Sequence, residues 1–281
     1  MSVEAEFHRY RIVEHVAQGA FGAVFRAADR VPGKEVALRV VSGTTTSEEA
    51  VAAFETDMQR ATELRHHALA QVYEVGRVAS GEVWAATEFV VGEPLERVVA
   101  EQGALPLETA LVVFSELARG LAELHGHGLA HGSLSARAIL LPRSRSGAPR
   151  PKIVGLGRAR LRPRAVKMLA PPEGPYSSPE LVSSQQDGAA SDVWALGVLL
   201  FHCVTGRTPF VARTTPSFLA EVRGLPRILG AIEDEVVRGL IEQCLARVPD
   251  ERPAAEALVK QAELAGWIEL SGAAAAPSPR A

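Results

Sequence analysis

The spacing of apolar positions changes about a third of the way along the chain. Up to residue 91 they come in short strand-like runs, Tyr10–Val16, Ala23–Ala28 and Glu35–Val41, broken by turns at Gln18-Gly19 and Val31-Pro32-Gly33. One helix interrupts the strands. Its start is marked by the capping region Thr46-Ser47-Glu48-Glu49, and it runs to about Arg65. Two further strands are predicted near Ala70–Val78 and Val83–Val90. After Gly92 the period becomes helical. Leu111, Phe114, Leu117, Leu121 and Leu124 line one face of a helix over Leu107–His125. Ser191–Thr205, Glu233–Ala246 and Ala254–Leu264 read as helices too. The pattern predicts an α+β chain of two lobes, β-rich over 1–91 and helical over 92–270. An Ala/Pro-rich tail over 271–281 reads as disordered. The cleft between two such lobes is the default ligand site.

Composition adds little. The chain has 281 residues, 47% hydrophobic and 22% charged, with a net charge of -3 that names no partner. Cys203 and Cys244 fall in apolar helical segments and read as buried free thiols, which fits a reducing cytoplasm. The first ten residues carry acidic groups and no apolar core of a signal peptide. The longest apolar run, Leu196–Val204, is too short to span a bilayer. The expectation is a cytoplasmic chain with no membrane segment.

Motifs sharpen the picture. Gly19 and Gly22 lie in a strand–turn–strand between Val16 and Val24, with Ala17 before them. Val36-Ala37-Leu38-Arg39 follows on the next strand but one. Further on come His131-Gly132-Ser133, Gly155-Leu156-Gly157, Ser178-Pro179-Glu180, Ser191-Asp192-Val193-Trp194 and Arg252-Pro253. Their order and spacing over residues 10–268 resemble the bacterial Hanks-type (eukaryotic-like) serine/threonine protein kinases. There the corresponding motifs are a Gly-rich loop, V-A-I-K, H-R-D, D-F-G and A-P-E. The resemblance implies a bilobal protein kinase-like fold and an ATP-dependent ancestry.

It also implies a chain whose phosphoryl-transfer chemistry has been replaced. Such transfer rests on positioning and on charge neutralisation around metal ions. The position of the catalytic base holds Ser133, and that of the catalytic-loop Lys holds Ser135. The two metal-ligand positions hold Ala138 and Gly155, which offer no side-chain oxygen to a hard cation. Loss of a general base alone costs on the order of 10²–10⁴ in rate. The reading is therefore a degenerate member, a pseudokinase serving as a signalling scaffold or regulator. The alternative is a weakly active or unconventional ATP-dependent kinase. No metal site is expected and no cofactor is required.

Other positions look retained. Val24, Ala37 and Leu140 fall where the family sandwiches adenine, and Glu88 and Val90 fall at the hinge; the same residues also read as plain core aliphatics and loop. With Ala17, Gly19, Gly22 and Arg39 they form the candidate nucleotide site, open to ATP without magnesium. Asp57 is the candidate partner of Arg39. By resemblance Asp192 accepts backbone hydrogen bonds near His131, and Glu180 pairs with Arg252. Ala61, Val72, His131 and Leu156 form a packed column. Gly132 removes the usual cation for an activation-loop phosphate. No Ser, Thr or Tyr occurs from Arg158 to Pro175, leaving Tyr176 and Ser177 as the next acceptors.

No Asp or Glu occurs from Leu124 to Pro172, a stretch with ten basic residues: Arg137, Arg143, Arg145, Arg150, Lys152, Arg158, Arg160, Arg162, Arg164 and Lys167. It reads either as a solvated basic face or as a surface for an acidic or phosphorylated protein, an active kinase among the candidates. Nucleic acid is not expected, because no motif or aromatic interleaving accompanies the charge. His125, His127 and His131 read as structural histidines rather than metal ligands.

Overall fold

Alternation of apolar residues builds the first lobe. The computed structural model describes residues 7, 9–19, 22–31, 33–41, 47–78, 81–142, 149–162, 171, 174–184 and 188–267. Strands β1 (Tyr10–Gly19), β2 (Gly22–Asp29), β3 (Glu35–Val41), β4 (Val72–Arg77) and β5 (Val83–Glu88) form one antiparallel sheet in the order β1-β2-β3-β5-β4. On β3 the period of two separates two faces. Val36, Leu38 and Val40 pack outward with Phe7, Tyr10 and Trp84. Ala37, Arg39 and Val41 point the other way, toward helix α1 (Glu48–Ala61), and Val41 joins Val51 and Phe54 in the main core.

Ser47 caps α1 by accepting the Ala50 amide at 3.3 Å, as the capping region predicts. The helix stops at Ala61, four residues before the predicted end. Arg65 folds back so that its guanidinium donates to the carbonyls of Thr62 (2.5 Å) and Leu64 (2.7 Å), ending the helical ladder. Strand β4 likewise begins at Val72 rather than Ala70, because the Ala70 amide donates to Ile153 O across the lobes.

The second lobe is helical. The predicted helices are α3 (Leu107–Gly126), α5 (Ala189–Thr205), α8 (Glu235–Cys244) and α9 (Ala255–Leu264). Four helices went unpredicted: α2 (Leu95–Gln102), α4 (Pro179–Ser184), α6 (Thr215–Arg223) and α7 (Leu225–Leu229). Each is nine residues or shorter, too brief for a period to show. Helix α5 is apolar on nearly every face and runs through the core, with Trp194, Leu196 and Phe201 fully buried. Gly197 permits its close contact with α8, since a Cβ there would lie 2.6 Å from that of Cys244. A small sheet, β6 (Glu93–Pro94), β7 (Ile139–Leu141) and β8 (Lys152–Ile153), joins the lobes. The predicted tail over 271–281 lies outside the described residues. Among the described residues no helix is long and apolar enough to cross a membrane.

Candidate functional site

The cleft between the lobes is framed by strand register. Val24 lies directly opposite Arg39 on the β2–β3 pair, so Val24, Ala37 and Arg39 share the face that looks away from the outer cluster. Val24, Ala37 and, on β7, Leu140 are all half-buried. The Thr87 hydroxyl donates to Ala37 O at 3.4 Å. At the end of β5, Glu88 is tied to Lys152 at 2.5 Å and accepts the Gln71 amide at 3.2 Å, and Val90 follows in the hinge. Ala17 and Gly19 pair with Val24 and Gly22 across the β1–β2 hairpin, whose tip residues 20–21 lie outside the described residues.

Below the cleft, one carboxylate shapes the loop around Ser133. Asp192 on α5 accepts the amides of His131 and Gly132, each at 2.7 Å, and its Oδ2 lies 3.0 Å from His125 Nε2. His131 Nε2 donates to Val154 O at 3.0 Å, while its Nδ1 is buried without a partner. Burial holds the His131 pKa below its ordinary value, although the Asp192 charge opposes the shift. Ala61, Val72, His131 and Leu156 line one small void of about 20 Å³, so the four column positions come together. Ser133 is 1% exposed, and its hydroxyl has no hydrogen-bond partner. Ser135 is also buried, whereas Ala138 and Gly155 are half-buried.

The candidate Arg39–Asp57 pair does not form. Asp57 instead takes Arg160, with Nε 2.5 Å from Oδ2. Arg160 lies in a 3-10 turn, Arg158–Leu161, that packs against α1. Gly157 permits that approach: its φ is +81°, and a Cβ there would meet the Phe54 ring at 2.8 Å and Met58 Sδ at 2.9 Å. The turn brings a guanidinium closer to Asp57 than β3 does. Arg39 is left half-buried, with no ion pair or hydrogen bond among the described residues. Its pKa is pushed down to about 10 by burial and by the charge of Arg158.

The model of the protein kinase domain matches residues 10–262. The chain belongs to the protein kinase family. It is 30% identical over 262 residues to a probable serine/threonine-protein kinase, PkwA, of Thermomonospora curvata, covering 90% of this chain and 33% of that protein. It is 29% identical over 263 residues to the serine/threonine-protein kinase pkn3 of Myxococcus xanthus, covering 88% of this chain and 48% of the relative. The chain thus spans a third to a half of these relatives. Among solved structures, the kinase domain of PknI from Mycobacterium tuberculosis superposes with a TM-score of 0.71 at 20% identity, over 94% of this chain and 99% of that one. A structure of Rad53 1-466 in complex with AMP-PNP gives a TM-score of 0.73 at 23% identity, over 93% and 66%. At these identities the superpositions establish the fold.

Kinase family members use divalent metal, and the residues here do not fit it. Ala138 and Gly155 present no oxygen ligand, Glu88 is held by Lys152, and Asp57 is held by Arg160. Among the described residues no group of three His, Cys, Asp or Glu side chains could hold a metal ion.

The structural positions are engaged. Arg252, fully buried, donates to both carboxylate oxygens of Glu180 at 2.6 and 2.8 Å and lies over the Trp194 ring at 5.0 Å. Burial alone would raise the Glu180 pKa, but the Arg252 hydrogen bonds and charge hold it below its ordinary value. Tyr176 hydrogen-bonds His202 at 2.8 Å in the core, and Ser177 is 0% exposed, so neither hydroxyl faces solvent. Cys203 and Cys244 are free and buried, with burial raising both pKa values to about 12.

Among the described residues the basic stretch is divided between exposed Arg137 and Arg150 and half-buried Lys152, Arg158, Arg160 and Arg162. Arg137 pairs with Glu96 at 2.8 Å, Lys152 with Glu88, and Arg160 with Asp57, while Arg162 donates to Gly132 O. Arg150 is exposed. Arg143, Arg145, Arg164 and Lys167 lie outside the described residues. Sequence reasoning treated these side chains as one face and missed the separate partners of Lys152, Arg160 and Arg162.

Proposed function

We propose that this chain is a non-catalytic kinase-fold module, a pseudokinase that acts as a signalling scaffold or regulator of a protein partner. One observation carries the reading. The position where the family places its catalytic base holds Ser133, whose hydroxyl is buried and unpartnered. A hydroxyl there cannot take up a proton near neutral pH, and burial keeps a substrate hydroxyl out of hydrogen-bond reach of it. Ala138 and Gly155 remove metal stabilisation from the same loop and its neighbour.

The retained elements support a binding role. The Asp192 and Glu180–Arg252 anchors hold the helical lobe, and half-buried Val24, Ala37 and Leu140, at the positions where the family sandwiches adenine, are the candidates to receive ATP without magnesium. Candidate partners are an active kinase or an acidic or phosphorylated protein. Contact through the basic stretch falls to Arg137 and Arg150, its exposed members among the described residues. The free, buried thiols support a cytoplasmic setting.

The test is phosphate transfer. Purified chain with γ-labelled ATP, magnesium or manganese, and generic protein substrates is expected to incorporate no label into itself or the substrates. Incorporation that copurifies with the chain and disappears in Arg39→Met would establish the alternative, a weakly active kinase.

A further inference from the structure

Two adjacent histidines sit at a junction between the lobes, in the turn that leads from α1 to β4. The His66 carbonyl accepts the Leu69 amide at 3.0 Å, and His66 Nδ1 accepts the Ala68 amide at 3.1 Å, so the imidazole closes the turn from inside. An Nδ1 that accepts a backbone N–H carries no proton. The His67 ring lies against that of His66, with centroids 4.3 Å apart and planes tilted by 32°. His67 in turn reaches α3, where its Nε2 hydrogen-bonds the buried carboxylate of Glu116.

The residues that follow carry contacts between the lobes. The Ile153 amide donates to Ala68 O at 2.7 Å, the Ala70 amide donates to Ile153 O at 2.9 Å, and Leu69 forms a parallel bridge with Ile153. Ile153 lies on β8 beside Lys152, which holds Glu88 at the hinge. One imidazole lone pair therefore supports the turn that ties β4 to the small sheet.

We infer that His66 is a proton-sensitive latch, and that protonation of its Nδ1 releases the 66–70 turn and loosens the junction of the lobes in acid. A proton on Nδ1 turns the acceptor into a donor that faces the Ala68 donor, and it sets a positive charge against the His67 ring. The charged and titratable groups that face His66 are His67 on its own turn, Glu116, Arg119 and Glu123 on α3, and Glu256, Lys260 and Glu263 across the groove that both histidines line. His131 lies across the small void behind it. Burial lowers the His66 pKa below its ordinary 6.5; His67 and Arg119 act the same way, against Glu116 and Glu123. The closed turn thus binds fewer protons than the open one. Its stability is full above pH 6.5 and is lost progressively as the pH falls through the lowered value. The latch operates whether or not the cleft transfers phosphate.

The experiment is hydrogen exchange of the full chain, resolved to single amides by NMR between about pH 5 and 8, with each rate corrected for its intrinsic pH dependence. The amides of Ala68, Ala70 and Ile153 are compared with those of Leu199 and Leu200 in the core helix α5. Below pH 6.5 the first three are expected to lose protection relative to α5, by up to about tenfold per pH unit, the slope of one proton. His66→Asn keeps a side-chain oxygen that can accept the Ala68 amide but takes up no proton. It should retain the protection seen near neutrality and lose the acid slope. His131→Phe removes a different buried imidazole and should leave the loss at the turn in place.

Three results overturn the inference: the turn amides following α5 at every pH, His66→Asn keeping the acid slope, or His131→Phe abolishing it. Should His66→Asn fail to fold, the parent profile and His131→Phe decide the matter by themselves.

Discussion

Arg252 shows what a single buried charge requires. Its guanidinium is fully enclosed and meets Glu180 through two hydrogen bonds, Ala246 O at 2.8 Å and Ala190 O at 2.8 Å. Four acceptors and the face of Trp194 replace the water it has lost. Removing the carboxylate would leave the charge buried and only partly compensated. Glu180→Gln is therefore expected to destabilise the fold by about 3–5 kcal/mol, measured by urea unfolding. A loss under ~1 kcal/mol would mean that the carbonyls and Trp194 suffice. Arg39 is the opposite case, a half-buried cation on a central strand with no acceptor among the described residues.

At the scale of elements, α1 and the turn after Gly155 pack closely against each other. Gly157 holds a left-handed backbone at φ +81°, and its missing Cβ makes room for Phe54 and Met58. Any side chain there meets both a strained dihedral and a filled space. Gly157→Ala is expected to cost ~1–3 kcal/mol in thermal or urea unfolding, part of it regained with Met58→Ala, which opens the space. A Gly157→Ala chain as stable as the parent would show that α1 and the turn do not pack this way in solution. The ionic half of the same contact, Asp57–Arg160, is partly exposed and contributes less; its main consequence is to withhold Asp57 from Arg39.

Across the whole molecule, buried titrating groups set the response to acid. Burial depresses the pKa of His131 below 6.5, and does the same at His202, where Glu96 opposes it weakly. The folded state thus binds fewer protons than the unfolded chain as pH falls below 6.5, so these two groups contribute stability above that value and lose it progressively below. Glu180, depressed from 4.5 by Arg252, adds a second loss at more acidic pH by the same sign. Unfolding free energy is therefore expected to decline between neutrality and pH ~5. His131→Phe should flatten that decline by keeping the ring volume without the proton site. An unchanged slope in the variant would exclude His131 as a source.

What the sequence by itself determined was the set of local signals: the period-two strands, the Ser47 cap, the apolar face of α3, and the ordered motifs that led to the protein kinase family. It also determined that Ala138 and Gly155 carry no side-chain oxygen and that Ser133 carries a hydroxyl, because these are matters of residue identity. Helices such as α4 and α7 were not legible, being too short to show a period. The pairing of charges was not legible either. In the sequence, Asp57 faces Arg39 by family analogy, and ten basic residues look like one surface. In three dimensions a carboxylate is taken by the guanidinium that packing brings nearest, so Gly157 and its turn gave Asp57 to Arg160, and Lys152 and Arg162 turned inward. Only the tertiary structure could decide this, because the energy of an ion pair depends on distance and burial, and neither is written in residue order.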